Sequence, residues 1–233
     1  MYFSVDPKVF QQLPNAVFAV VIARGIDNAK PQADIQQLLA KNIQLGEAYF
    51  TDKNLKESPE IVPYREAFRT LGINPNKFKC SIEALLTRIA KQKGLPVINP
   101  AVDLGNAVSI KHFLPIGAHD LATINEGLEV RFSQPEDTFI PFGGTEFEVP
   151  DEEELLYVAD HQIRTRRWTW RQSEVGKIME QTTDILYPID AFAGINAEKA
   201  LAAANDLVTY LQQYFDCEAQ FVFVDQKKPR FDF

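Results

Sequence analysis

Positive charge is scarce in this sequence. Its 233 residues carry 24 Lys and Arg against 32 Asp and Glu, a net charge of −8. Tight, non-specific nucleic-acid binding neutralises several phosphates at once. That class is excluded, no DNA partner is expected, and any RNA contact has to be local. Cysteine is scarce too. Cys80 and Cys217 are isolated, so neither a disulfide framework nor a zinc pattern is available, and two free or buried thiols are expected. Long apolar runs are missing. The best, residues 16–23, is of strand length, far below the ~18 residues of a membrane span. Residues 1–8 lack the basic and apolar regions of a secretory signal. The expected address is therefore cytoplasmic, with no membrane partner.

Catalytic signatures are missing as well. His112, His119 and His161 lie too far apart for a HExxH zinc helix, and there is no G-x-S-x-G elbow. Neither a phosphate-binding G-x-x-x-x-G-K-[ST] loop nor a G-x-G-x-x-G turn occurs. No metal and no cofactor are expected. Asp120 beside His119 reads as a polar pair in a cleft or as a turn residue. Asp103 and Asn106, three apart, share one helical face and either brace the structure or hold a ligand.

What is present is an ordinary globular composition, 45% hydrophobic and 24% charged. Residues 16–23 read as a buried strand. Helices are predicted from Pro31 to about Gly46, over Tyr64–Leu71 with Gly72 as stop, over Ile82–Lys93 with Ser81 as N-cap, and from Ile98 to Ile110. After residue 115 the pattern changes to short strands at 128–132, 155–158, 162–171 and 185–189. Residues 139–142 and 145–149 read as a hairpin about Gly143-Gly144. A helix over Ala197–Phe215, capped by Asn196, and a strand over Ala219–Val224 close the chain. Helices early and strands late mark an α+β protein, read as a single domain over 1–233.

Both tryptophans lie in Arg166-Arg167-Trp168-Thr169-Trp170-Arg171-Gln172-Ser173. At a strand period of two, Arg164, Arg166, Trp168, Trp170 and Gln172 share a face. Guanidinium groups beside flat rings suit stacking on a base or an aromatic ligand. They equally suit a strand whose tryptophans fill a core while its arginines reach outward.

Ordered short motifs add a resemblance. Arg65-x-x-Phe68-Arg69-x-Leu71-Gly72-x-Asn74-Pro75-Asn76-Lys77 leads into Ser81-x-Glu83-Ala84-Leu85. Leu95-Pro96-x-Ile98-Asn99-x-x-Val102-Asp103-x-x-Asn106 and Leu114-Pro115-Ile116-Gly117-Ala118-His119-Asp120-Leu121 follow. Ala159-Asp160-His161, the Arg-Trp stretch and Thr182-x-Asp184 complete the series. Over roughly residues 60–195 the chain resembles the tRNA-editing domain of the phenylalanyl-tRNA synthetase beta subunit, as a free-standing copy.

The resemblance implies a mixed fold with a β-barrel-like core and flanking helices. It implies a tRNA or aminoacyl-tRNA 3′ end as partner, with hydrolysis of a mischarged ester as the reaction. Asn106 falls where the family contacts the bound amino acid. The family's histidine falls on Gly117, leaving His119 to substitute. Trp168 and Thr169 fall at the small pair lining the pocket, and Asp190 is the carboxylate nearest to Pro188, where the family reads a tyrosine hydroxyl. The implied catalytic residues are Asn106 and His119. Gly117, Asp120, Trp168, Thr169, Trp170, Arg171 and Asp190 are the implied substrate contacts. Two alternatives stand beside this: a non-catalytic module for RNA or a free amino acid or similar metabolite, and an unrelated hydrolase on the same scaffold.

Overall fold

All residues, 1–233, are described in the computed structural model. Its elements run β1 (Tyr2–Val5), α1 (Pro7–Gln12), β2 (Ala16–Arg24), α2 (Ala33–Phe50), α3 (Val62–Thr70), α4 (Ser81–Ala90) and α5 (Pro100–His112). There follow β3 (His119–Asp120), β4 (Gly127–Phe132), β5 (Leu155–Ala159), β6 (Gln162–Arg166), β7 (Arg171–Gln172), β8 (Asp184–Phe192), α6 (Ala197–Phe215), β9 (Glu218–Val224) and β10 (Arg230–Asp232). This is the α+β class that the sequence pattern predicts. No helix is long and apolar enough to cross a membrane.

The strands form two sheets, ordered β10-β1-β4-β5-β6-β7 and β3-β8-β2-β9. Only β1 and β4 run parallel. The β-barrel-like core expected from the resemblance is corrected here. Both sheets are open, because the outer strands of each have no partner on their far side and β3 and β7 are only two residues long. The sheets pack face to face, with Phe3 of β1 meeting Phe18 of β2 at 6.0 Å. On its other face the four-stranded sheet carries α6, against which α5 packs, then α2. Covered on both sides, β2 keeps its apolar run with no polar alternation.

Helix ends follow the local sequence. Asn99 caps α5, its Oδ1 accepting from the Val102 N–H at 3.1 Å, and Pro100 occupies the first turn. Ser81 is not the cap of α4 but its first residue. Cys80 precedes it, and the Ser81 N–H instead donates to Thr169 O. The predicted hairpin at 139–149 is reduced to one bridge, Phe139 to Glu148, leaving Phe142, Phe147 and Val149 exposed. Apolar alternation there had no second face to pack against. Strands β1 and β10 and helix α1 lie in terminal segments whose short patterns gave no clear signal.

The expected strand over 162–171 is also corrected. It breaks after Arg166, where Arg167 and Trp168 adopt left-handed backbone with φ of 45° and 60°. The chain reverses, and Arg166 pairs with Arg171 across an antiparallel hairpin. The common face of Arg164, Arg166, Trp168, Trp170 and Gln172 therefore does not exist beyond Arg166. Bulky residues seldom hold that conformation. Here the turn drives the Trp168 indole into the core, fully buried at 0% exposure.

Candidate functional site

The motif rich in Arg, Asn and Pro is scaffold. Arg65 of α3 donates to Glu83 of α4 at 2.7 Å, to Pro75 O at 3.1 Å and to Asn76 Oδ1 at 2.6 Å. This buried network fixes the Asn74–Lys77 turn and with it the start of α4. The Ser81–Thr169 hydrogen bond then joins α4 to the Arg167–Trp168 turn. On the opposite side, residues 115–117 run beside β8. Gly117 N–H donates to Pro188 O at 2.9 Å, and Asp190 N–H donates to Pro115 O at 3.2 Å.

Between these walls lies a cavity of about 80 Å³, open to solvent. Gly117, His119, Tyr157, Trp168, Thr169, Trp170, Gln172 and Asp190 line it, with Ser81, Thr165 and the rigid Pro115 and Pro188. Gly117 is needed for its size. A β-carbon there would stand 3.2 Å from the Pro188 ring and 3.3 Å from His119 Nε2.

Asp190 is the centre of its polar chemistry. The residue is 2% exposed. Tyr157 Oη and Trp168 Nε1 both donate to Oδ1, each at 2.6 Å. Burial pushes the carboxyl up to about 7, against the pull of those two donors. His119 stacks on Tyr157 with ring centroids 5.6 Å apart. Burial, helped by the charge of Arg164, pushes its pKa down to about 3, so the ring is neutral at physiological pH. Both His119 ring nitrogens and Thr169 Oγ1 are buried without a hydrogen-bond partner in the chain. Unmet buried polar atoms cost about 1–3 kcal/mol each, and these border one cavity.

Arg164 lies behind this wall, fully buried. One nitrogen donates to Thr123 O at 2.6 Å, while Nε and Nη1 have no partner. Gly176, at φ 77°, allows the guanidinium to fit, since a β-carbon would stand 2.8 Å from Nη1.

At the cavity mouth, Trp170 packs edge-on against Phe78 at 4.7 Å. The Arg167 guanidinium lies 3.9 Å from the Phe78 ring centre while pairing with Asp151 at 2.6 Å. Arg171 stands 5.8 Å from the Trp170 ring, and Lys77 stands 5.0 Å from that of Phe78. The basic and aromatic cluster read from the sequence thus exists, but as a rim built from two segments.

The structure brings Gly117, His119, Trp168, Thr169, Trp170 and Asp190 together around one space. Three others stand apart. Asn106 sits on α5, and α5 packs on the far side of β8 from the cavity. Tyr187 meets Gly105 and donates to Ala101 O there, whereas Pro188 and Asp190 face the cavity. Strand alternation puts Asn106 and His119 on opposite sides of the sheet. Asp120 is a structural acceptor, taking the Ala122 N–H at 2.9 Å and the Thr182 hydroxyl at 2.7 Å. Arg171 is at the rim only. Sequence reasoning missed Tyr157 and Ser81. A hydroxyl within the apolar run Leu155–Ala159 was the one available sign of the former.

A family model described as the B3/4 domain matches residues 63–217. No curated protein matches the chain. Among solved structures, an N-terminal fragment of the phenylalanyl-tRNA synthetase beta-subunit from Pyrococcus horikoshii is similar to 95% of the chain at 13% identity, with a TM-score of 0.48. The chain covers 53% of that fragment, about half its length.

Proposed function

The chain belongs to the B3/4 domain family, and from that premise we propose that it is a tRNA-related module of the phenylalanyl-tRNA synthetase beta-subunit type, acting on the aminoacyl end of a charged tRNA. The carrying observation is the juxtaposition of a cavity of about 80 Å³ with a basic and aromatic rim. The cavity is small and open at its mouth, and in this reading it takes the aminoacyl group. The rim stacks on the terminal base and meets its phosphates. Such a ligand goes with a cytosolic protein.

The proposed reaction is ester hydrolysis. Water adds its oxygen to the ester carbonyl, and the carbonyl–ribose C–O bond breaks. The ribose oxygen takes a proton, and the free amino acid leaves. Such chemistry asks mainly for orientation. A neutral His119 accepts a hydrogen bond from the attacking water through one ring nitrogen and donates through the other. A second reading, binding without turnover, is favoured by one feature: His119 bonds to no residue that would fix its tautomer or orientation, as an activated base requires.

The test is deacylation of a panel of correctly and wrongly charged tRNAs. Acceleration over spontaneous hydrolysis is expected, with a loss of tenfold or more in His119→Ala and none in Asn106→Ala (order of magnitude for a water-orienting group). Binding of charged tRNA at the spontaneous rate would establish the second reading. Absence of both would refute the proposal.

A further inference from the structure

The lining of the cavity contains one acid and no lysine or arginine. Asp190 spends Oδ1 on Tyr157 and Trp168, which leaves Oδ2 for the cavity. Tyr157, Trp168 and Trp170 line the walls beside it, and the face of an aromatic ring attracts a cation. The remaining polar side chains of the lining are neutral, and among them His119 and Thr169 are unpartnered. At the start of α4 the Ser81 N–H is already taken by Thr169 O.

A carboxylate entering this space would meet Asp190 with no cation in the lining to offset it, since Arg164 lies behind the wall, an unfavourable pairing. An ammonium group would meet a buried carboxylate in a charge-assisted hydrogen bond. We propose that Asp190 is the receptor for a protonated primary amine, so that the cavity selects α-amino acids whose carboxyl group is esterified or amidated and rejects the free acids. This rests on the aminoacyl reading above and deepens it. It assigns the ammonium contact to a residue of β8 and excludes a free amino acid as the ligand.

A pH signature follows from the surroundings of Asp190. The titratable groups facing it are Tyr157 from β5, Tyr64 from α3, Cys80 before α4 and His119 of β3. Burial keeps both tyrosines well above their usual range, Cys80 at about 12 and His119 at about 3. All four therefore stay neutral from pH 5 to pH 8, and Asp190 titrates alone. The amine binds the ionised carboxylate, so affinity rises about tenfold per pH unit up to about pH 7 and then levels.

The experiment is isothermal titration calorimetry of the full chain with alaninamide, alanine and propionamide, from pH 5.5 to 7.5. Alaninamide is expected to bind with that pH slope, releasing about one proton per site at pH 5.5, while alanine and propionamide bind at least tenfold more weakly (about 1.4 kcal/mol). In Asp190→Asn the amide oxygen still accepts from Tyr157 and Trp168, so the fold is kept, and the slope and the preference for the amine should both vanish. Equal binding of alanine or propionamide, no binding of alaninamide, or an unchanged slope in Asp190→Asn would each overturn the proposal. Failure to bind charged tRNA while alaninamide still binds would count against the RNA reading alone.

Discussion

Asp190 and His119 border one cavity and pull the stability of the protein in opposite directions with pH. The folded state holds the Asp190 proton up to about pH 7, whereas the unfolded chain releases it near 3.8. Its contribution is complete below the lower value and is lost as pH rises to about 7, on the order of 4 kcal/mol. His119 is held neutral down to about pH 3, against 6.5 when unfolded. Its contribution is complete above 6.5 and is lost as pH falls toward 3. Over pH 4–6.5 the two nearly cancel. Relative to the parent, His119→Gln should lose stability as pH rises through this window, and Asp190→Asn should gain it. Urea midpoints followed by circular dichroism at each pH would show the two slopes, and parallel profiles in all three proteins would contradict this assignment. In the sequence His119 belonged to an ordered motif, and Asp190 stood out only as the carboxylate nearest to Pro188. Burial was not legible, because a histidine or aspartate reads the same whether it faces water or a Tyr157 ring.

Among the elements, long periodic segments were legible and reversals were not. The helices expected near residues 31–46, 64–71 and 82–93 are present with shifted ends, and that over 197–215 with the ends expected, because amphipathic spacing survives any tertiary setting. The 162–171 segment failed because β-propensity cannot reveal a turn in which Arg and Trp, rather than Gly or Asn, hold positive φ. Contacts impose that turn. Trp168 Nε1 reaches Asp190, and Arg167 pairs with Asp151 over Phe78. Asp216 after α6 is a contrasting case, with a left-handed φ of 50° and an acidic side chain at a helix C-terminus. Glycine relieves both the steric and the dipole penalty. Asp216→Gly should stabilise the protein by about 0.5–1 kcal/mol, or about 2 °C in Tm. Arg167→Gly should destabilise it, since it removes the ion pair and the ring contact together. Differential scanning calorimetry on both variants separates the cases.

For the molecule as a whole, the surface charge is the constraint. A net charge of −8 disfavours a polyanion over the surface at large, whereas at the rim Lys77 stands beside Phe78 and Arg171 beside Trp170. Each phosphate neutralised on a single strand contributes about −0.7 to the slope of log K against log salt, so two cations give about −1.4. Fluorescence anisotropy of a labelled RNA 3′ end across a salt series should return that shallow slope, and Lys77→Glu should lower affinity by about tenfold at low salt. A slope several times steeper would require a second, undiscovered basic face. The two open sheets gather residues from both ends of the chain and from its middle, so the cavity walls could not be assembled from local pattern alone. They bring only two tryptophans with them. One has its indole N–H on the carboxylate that titrates near neutrality. With Trp170→Phe, the emission of the remaining indole becomes an unlabelled optical readout of the charge on Asp190, and hence of any cation that arrives there.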